Sequence, residues 1–157
     1  MGRQPCCTRK GCAMELSIPA SPSRLAGLRR AARGYLRGVS DEVADDVVLA
    51  LSEAATNAVL YGSSGDQPIQ VVVHVNDDWV EASVLDHGPQ PPAGLPSDAD
   101  TDELRAGGRG LWLLRRLMDE VRLERVRLGT RVTLRRAIGP AGTSPASSCH
   151  ATPSSGR

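Results

Sequence analysis

The chain has 157 residues and a formal net charge of +1, with 40% hydrophobic and 24% charged residues. That length allows one domain with a real core, and so balanced a charge argues against nucleic acid or an anionic membrane as a dominant electrostatic partner. No stretch approaches the roughly 20 apolar residues of a membrane-spanning helix, and no secretory signal core opens the chain, so a cytoplasmic location is expected.

Residues 1–13 carry Cys6, Cys7 and Cys12. Their spacing matches no standard zinc site, and with Cys149 they read as free thiols in an unstructured extension. Met14 begins the patterned region, which sets the expected domain at 14–138. Glu15 to Ile18 is a short strand candidate. Ser21 and Pro22 supply a helix cap and a first-turn proline. Leu25, Leu28, Ala32 and Leu36 then recur at helical spacing until Gly38. A second helix starts at Ser40, with Asp41 and Glu42 in its first turn where the helix dipole favours acids. Its apolar stripe is Val43, Val47, Leu51, Ala54 and Ala58, and Gly62 ends it. Asp46, Ala50, Glu53 and Asn57 form an opposed stripe.

Ser63 to Pro68 is a turn. Ile69 to Val75 and Trp79 to Leu85 are β-rich runs joined by Asn76-Asp-Asp78, a hairpin. Pro89 to Gly108, with four prolines and three glycines, is too long for an idle connection and reads as a mobile lid. Leu111, Leu114, Met118 and Val121 give a third helix its stripe. Val121 to Val126 and Arg131 to Arg135 form a second hairpin turning near Gly129. From Gly139 onward the Gly, Pro, Ser, Ala and Thr composition predicts a disordered tail. The expected fold is an α/β two-layer sandwich, a mixed but mostly antiparallel sheet with three helices on one face.

Four segments hold the candidate chemistry. Glu53 and Asn57, four apart, share a helix face. An amide oxygen such as that of Asn57 suits Mg²⁺, and Glu53 suits proton abstraction from a hydroxyl or water. A solvated polar face explains the pair equally simply. Asp86 ends a largely apolar strand, where its carboxylate can accept a hydrogen bond from an exocyclic amine such as adenine's, and Gly88 lets the backbone approach the ring. An ordinary turn is the plainer alternative. Gly107-Gly-Arg-Gly-Leu111 directly precedes the third helix, leaving N–H groups and the Arg109 charge to face a phosphate. Without a ligand it is only a flexible loop. Gly129-Thr130 is either a hairpin turn or a hydroxyl that reaches a phosphate or the adenine pocket.

Taken together, these segments resemble the nucleotide site of the histidine-kinase-like ATPase superfamily, and most closely the small bacterial anti-sigma-factor serine kinases of the RsbW and SpoIIAB type. Leu51-Ser-Glu-Ala-Ala-Thr-Asn-Ala58 resembles the helix motif whose Asn binds Mg²⁺ and whose Glu is the base. Val84-Leu-Asp-His-Gly88 resembles the adenine motif, Gly107 to Asp119 the phosphate loop with its helix, and Gly129 to Leu134 the last motif. The likeness covers about residues 15–137 and implies the Bergerat ATP-binding fold. Two positions depart from the pattern: Tyr61-Gly62 stands where relatives often carry His-Ala or His-Gly, and Gln90 where a second glycine is common.

The resemblance implies an ATP- and Mg²⁺-dependent serine/threonine kinase that phosphorylates a small antagonist (anti-anti-sigma) protein and sequesters a sigma factor, in a homodimer. Glu53 is then the base, Asn57 the Mg²⁺ ligand, Asp86 and Gly88 the adenine contacts. Gly107, Gly108, Arg109, Gly110, Leu111 and Thr130 line the nucleotide, and Arg105 adds a phosphate contact. A second reading is a nucleotide-switched regulatory binding protein without phosphoryl transfer, and a third is a scaffold that binds no nucleotide. His74 and His87 lie in or beside strands and are expected to be structural.

Overall fold

The computed structural model describes residues 13–62, 67–88, 109–127 and 129–139. Five strands form one sheet: β1 (Met14–Ile18), β2 (Ile69–Val75), β3 (Trp79–Leu85), β4 (Glu120–Val126) and β5 (Gly129–Ala137). Their order is β1-β2-β3-β5-β4, and every pairing among them is antiparallel, so the sheet is not mixed. Three helices, α1 (Leu25–Tyr35), α2 (Asp41–Asn57) and α3 (Arg109–Leu117), complete the two layers. Asp86 follows directly on the last residue of β3.

Alternation along the strands decides which face is covered. Leu16, Val71, Val84, Val132 and Leu123 stand in one cross-strand row, and Met14, Val73, Ala82, Leu134 and Val121 in the next. Val71, Val84, Val73, Ala82 and Leu134 in these rows are fully buried and Val132 partly so, and α2 lies across β3 and β5 with α1 and α3 beside it. Each such aliphatic side chain contributes about 1.5–3 kcal/mol by leaving water. With no phenylalanine in the chain, Leu28, Leu36, Leu51, Ile69 and Leu134 are the largest of the fully buried side chains among the described residues.

Among the described residues no helix lies on the opposite face of the sheet, which is mostly polar. His74, Glu81, Arg135 and Glu120 form one of its rows. Arg135 reaches Glu81 (3.4 Å) and Glu120 (3.3 Å) while its guanidinium lies 3.9 Å from the centre of the Trp79 ring. The His74 ring sits 6.1 Å from the same tryptophan.

Local chemistry explains most boundaries. Ser40 caps α2 by accepting from the Val43 N–H at 3.4 Å. Gly38 takes a φ of 94° between α1 and α2, a left-handed conformation that a side chain would resist. In the β2–β3 hairpin the Asn76 side chain accepts from the N–H groups of Asp78 (2.9 Å) and Trp79 (2.8 Å). Ser21 differs from expectation. Its hydroxyl contacts Ser23 Oγ at 3.0 Å and caps no backbone N–H; Pro22–Arg24 form a 3₁₀ turn, and α1 begins only at Leu25.

Two further expectations are revised on α2. Ala50 does not belong to a polar stripe but is fully buried, because a methyl at the edge of the apolar stripe joins the core without cost. The helix does run on to Gly62, but Ala58–Gly62 widen into a π-helical turn, a distortion frequent at functional sites. The expected lid at 89–108, the cysteines, residues 1–12 and the tail beyond 139 lie outside the described residues, as does part of the turn after Gly62. No helix among the described residues is long and apolar enough to cross a membrane.

Candidate nucleotide site

The widened turn links two groups of polar residues. Asn57 ends α2 on one side of it, and Gly62 closes it on the other.

The first group gathers around Asp86, one of two buried polar or charged side chains among the described residues; Thr130 is the other. Antiparallel pairing of β3 with β5 brings them together. The Asp86 N–H donates to the Thr130 carbonyl at 3.0 Å, and Asp86 Oδ1 accepts from the N–H groups of Thr130 (3.3 Å) and Gly88 (3.1 Å). Oδ2 receives no hydrogen bond from a described residue. The side chain is therefore fixed through one oxygen and free to accept through the other, as recognition of an amine requires.

Glycine makes this packing physically allowed. A Cβ on Gly88 would fall on the Gly62 carbonyl, and one on Gly62 would meet the Asp86 carboxylate. A Cβ on Gly129 would strike the Asp86 carbonyl. Beside them, His87 Nδ1 lies 3.1 Å from the Pro68 carbonyl and tethers the strand end, a structural role for that ring.

The second group faces the first turn of α3. Glu53 and Asn57, both half-buried, point at Gly110. A Cβ there would lie 2.5 Å from Glu53 Oε1 and 2.9 Å from Asn57 Nδ2. The α3 N-terminus, with its unpaired N–H groups and positive end of the dipole, thus approaches a carboxylate and an amide directly. Leu111 packs partly against the core. Only the backbone of Arg109 is described, and Arg105, Gly107 and Gly108 lie outside the described residues.

Asp46 has a different task from Glu53 and Asn57. It pairs with Arg136 at 3.1 Å, and Arg136 also holds Asp119 at 3.1 Å, just past α3. Asp119 in turn accepts from the Ala137 N–H at 2.7 Å. This clamp ties α2, the end of α3 and β5 together, although the buried Arg136 Nε has no partner. Sequence reasoning found neither the clamp nor the contacts of Gly62 and Gly129 with Asp86. Only the glycine identities hinted at the latter.

The profile of the family described as "Histidine kinase-like ATPase domain" matches residues 18–136. The serine-protein kinase RsbW of Bacillus licheniformis is 35% identical over 123 residues, covering 71% of this chain and 77% of the relative. That of Listeria innocua is 32% identical over 120 residues, covering 69% and 76%. Among solved structures, the RsbU and RsbW domains of Rv1364c from Mycobacterium tuberculosis superpose with a TM-score of 0.64 at 26% identity. That match covers 83% of this chain and 34% of the other, which is much the longer.

Proposed function

The chain belongs to the histidine kinase-like ATPase domain family, and from that premise we propose that it is an ATP-dependent serine kinase of the anti-sigma-factor type. Its substrate is the hydroxyl of a small antagonist protein, and its second partner is a sigma factor. It works in the cytoplasm as a homodimer, with residues 14–138 forming the ATPase unit. The RsbW relatives, named serine-protein kinases, support the activity.

The observation that carries the chemistry is Glu53 held against Gly110 at the start of α3. A base must stand where the phosphoryl group is stabilised, and here the carboxylate faces the helix N-terminus with no room for a side chain between them. Asp86 Oδ2 accepts the adenine amine while Oδ1 stays bound to the backbone of Gly88 and Thr130. Gly88 and Thr130 wall the base pocket. The Gly110 N–H, with Gly107, Gly108, Arg109, Leu111 and Arg105, cradles the phosphates. Glu53 takes the proton of the substrate serine as its oxygen attacks the γ-phosphorus, and the bond from the γ-phosphorus to the β–γ bridging oxygen breaks to release ADP.

Asn57 fits a divalent cation: its amide sits beside Glu53 at the phosphate end, and one hard oxygen ligand shared with phosphates is what Mg²⁺ ordinarily takes from a protein. Bound there, Mg²⁺ supplies charge neutralisation across the phosphates.

The test is Glu53→Gln. It should bind Mg-ATP with affinity close to wild type by calorimetry and transfer radiolabelled γ-phosphate to a purified antagonist protein about 10²–10⁴-fold more slowly. Transfer at the wild-type rate removes Glu53 from catalysis. Wild type that binds nucleotide but transfers to no antagonist leaves a nucleotide-switched binding protein.

A further inference from the structure

The other end of α2 carries a feature that the nucleotide site does not use. From Ser17 to Ser40 the sequence has no acid, yet it holds Arg24, Arg29, Arg30, Arg33 and Arg37. Three of these, Arg30, Arg33 and Arg37, line a cleft of about 610 Å³ between the end of α1 and the start of α2. Leu36 and Val39 also line it, and Asp41 stands on the α2 side.

The arginines are not equivalent. Arg33 pairs with Asp45, and Arg29, outside the cleft, donates to Ser52 Oγ at 3.2 Å. Arg30 and Arg37 are exposed and make no ion pair with a described residue. Sixteen residues separate Asp41 from Asn57, which at the helical rise is about 24 Å. Whatever occupies this cleft does not compete with nucleotide for space.

We propose that this cleft docks an acidic amphipathic helix of a partner protein. Arg30 and Arg33 lie on the last turns of α1 and Arg37 stands just beyond its cap Leu36, so the three charges are spread along the cleft rather than gathered on one turn. A helix with carboxylates at i, i+4 and i+7 spreads three charges along one face to meet them, and an apolar residue between them meets Val39. A compact phosphate dianion fits less well. It needs guanidiniums converging on one centre, whereas Arg33 is already engaged by Asp45. The inference holds whether or not the nucleotide site transfers phosphate.

The experiment uses the full chain and a designed alanine-based helical peptide of about 14 residues, with glutamates at positions i, i+4 and i+7. A peptide of the same composition with the glutamates respaced is the control, and inorganic phosphate is the competing probe. The designed peptide should shift the Gly34 and Gly38 amide resonances saturably, with affinity falling as salt rises. The exposed double variant Arg30→Glu/Arg37→Glu should bind it about tenfold more weakly or worse while keeping the Mg-ATP affinity of wild type. Unmoved Gly34 and Gly38 resonances overturn the proposal, as does equal binding by the respaced peptide or by the double variant. Phosphate that moves the same amides and displaces the peptide also overturns it, in favour of an anion site. Failure of Mg-ATP to bind either protein counts against the kinase reading alone.

Discussion

The two ends of α2 are built on opposite principles. At the C-terminal end, Gly62, Gly88 and Gly110 remove side chains where backbone and functional groups press together, and Asp86 is buried with its hydrogen bonds assigned. At the N-terminal end, Arg30, Arg33, Arg37, Asp41 and Asp45 are exposed, and the cleft between the helices is open. Recognition of a small rigid base needs atoms fixed to within a few tenths of an ångström, which close packing supplies. Docking of a protein surface tolerates side chains that rearrange. The two ends are held by one helix, whose Val43, Ala44, Val47, Ala50, Leu51, Ala54 and Ala55 are anchored in a single core.

That contrast is sharpest for Gly88→Ala. The added methyl must displace the Gly62 carbonyl, so we expect a loss of about 3 kcal/mol in thermal or denaturant unfolding, together with loss of nucleotide binding. A variant as stable as wild type would show that the glycine packing has slack. At the other end, Arg33→Ala removes an ion pair whose side chains are 45% and 65% exposed. After solvent screening its effect should stay within about 0.5 kcal/mol. A larger loss would make that end structural and erase the distinction between the two.

The smallest expected effect lies on the uncovered sheet face, away from both ends. The Glu120 carboxyl is held below its usual 4.5, chiefly by the hydrogen bond from Arg122 and then by Arg135, against some desolvation that raises it. A depressed folded-state value means that the stabilisation is present above the unfolded-state value and fades as pH falls through the folded one. In a carboxyl NMR titration, Arg122→Ala should move the Glu120 midpoint upward. An unchanged midpoint would take Arg122 out of the account.

The sequence-level reading was strong where periodicity acts locally. The alternating rows of β2 and β3 and the stripe of α2 are legible because each strand and helix must bury one face, whereas of the expected α3 stripe only Leu111 and Leu114 lie in the helix, Met118 following it and Val121 standing in β4. It was weaker where the third dimension decides. Ser21 looked like a cap, but Pro22 opens a 3₁₀ turn instead. Ala50 follows the polar spacing of Asp46, Glu53 and Asn57, yet a methyl group has no reason to stay in water. Gly62 read as a helix end and Gly129 as a turn. Their approach to Asp86 depends on β3, β5 and the widened turn meeting at one point, which no local pattern encodes. Asp46 looked like part of the nucleotide stripe until its partner Arg136, 90 residues away in sequence, came beside it.

The central claim is that Asp86 recognises the base through Oδ2 while Oδ1 serves the fold. Asp86→Asn separates the two tasks, because an amide oxygen still accepts from Gly88 and Thr130 while the NH₂ group turns the free acceptor into a donor. The measurement is calorimetric titration of wild type and Asp86→Asn with Mg-ATP and Mg-ADP, with unfolding followed in parallel. The account predicts binding by wild type, none detectable by the variant, and a stability difference of about 1 kcal/mol. Equal nucleotide affinity in a folded Asp86→Asn would contradict it.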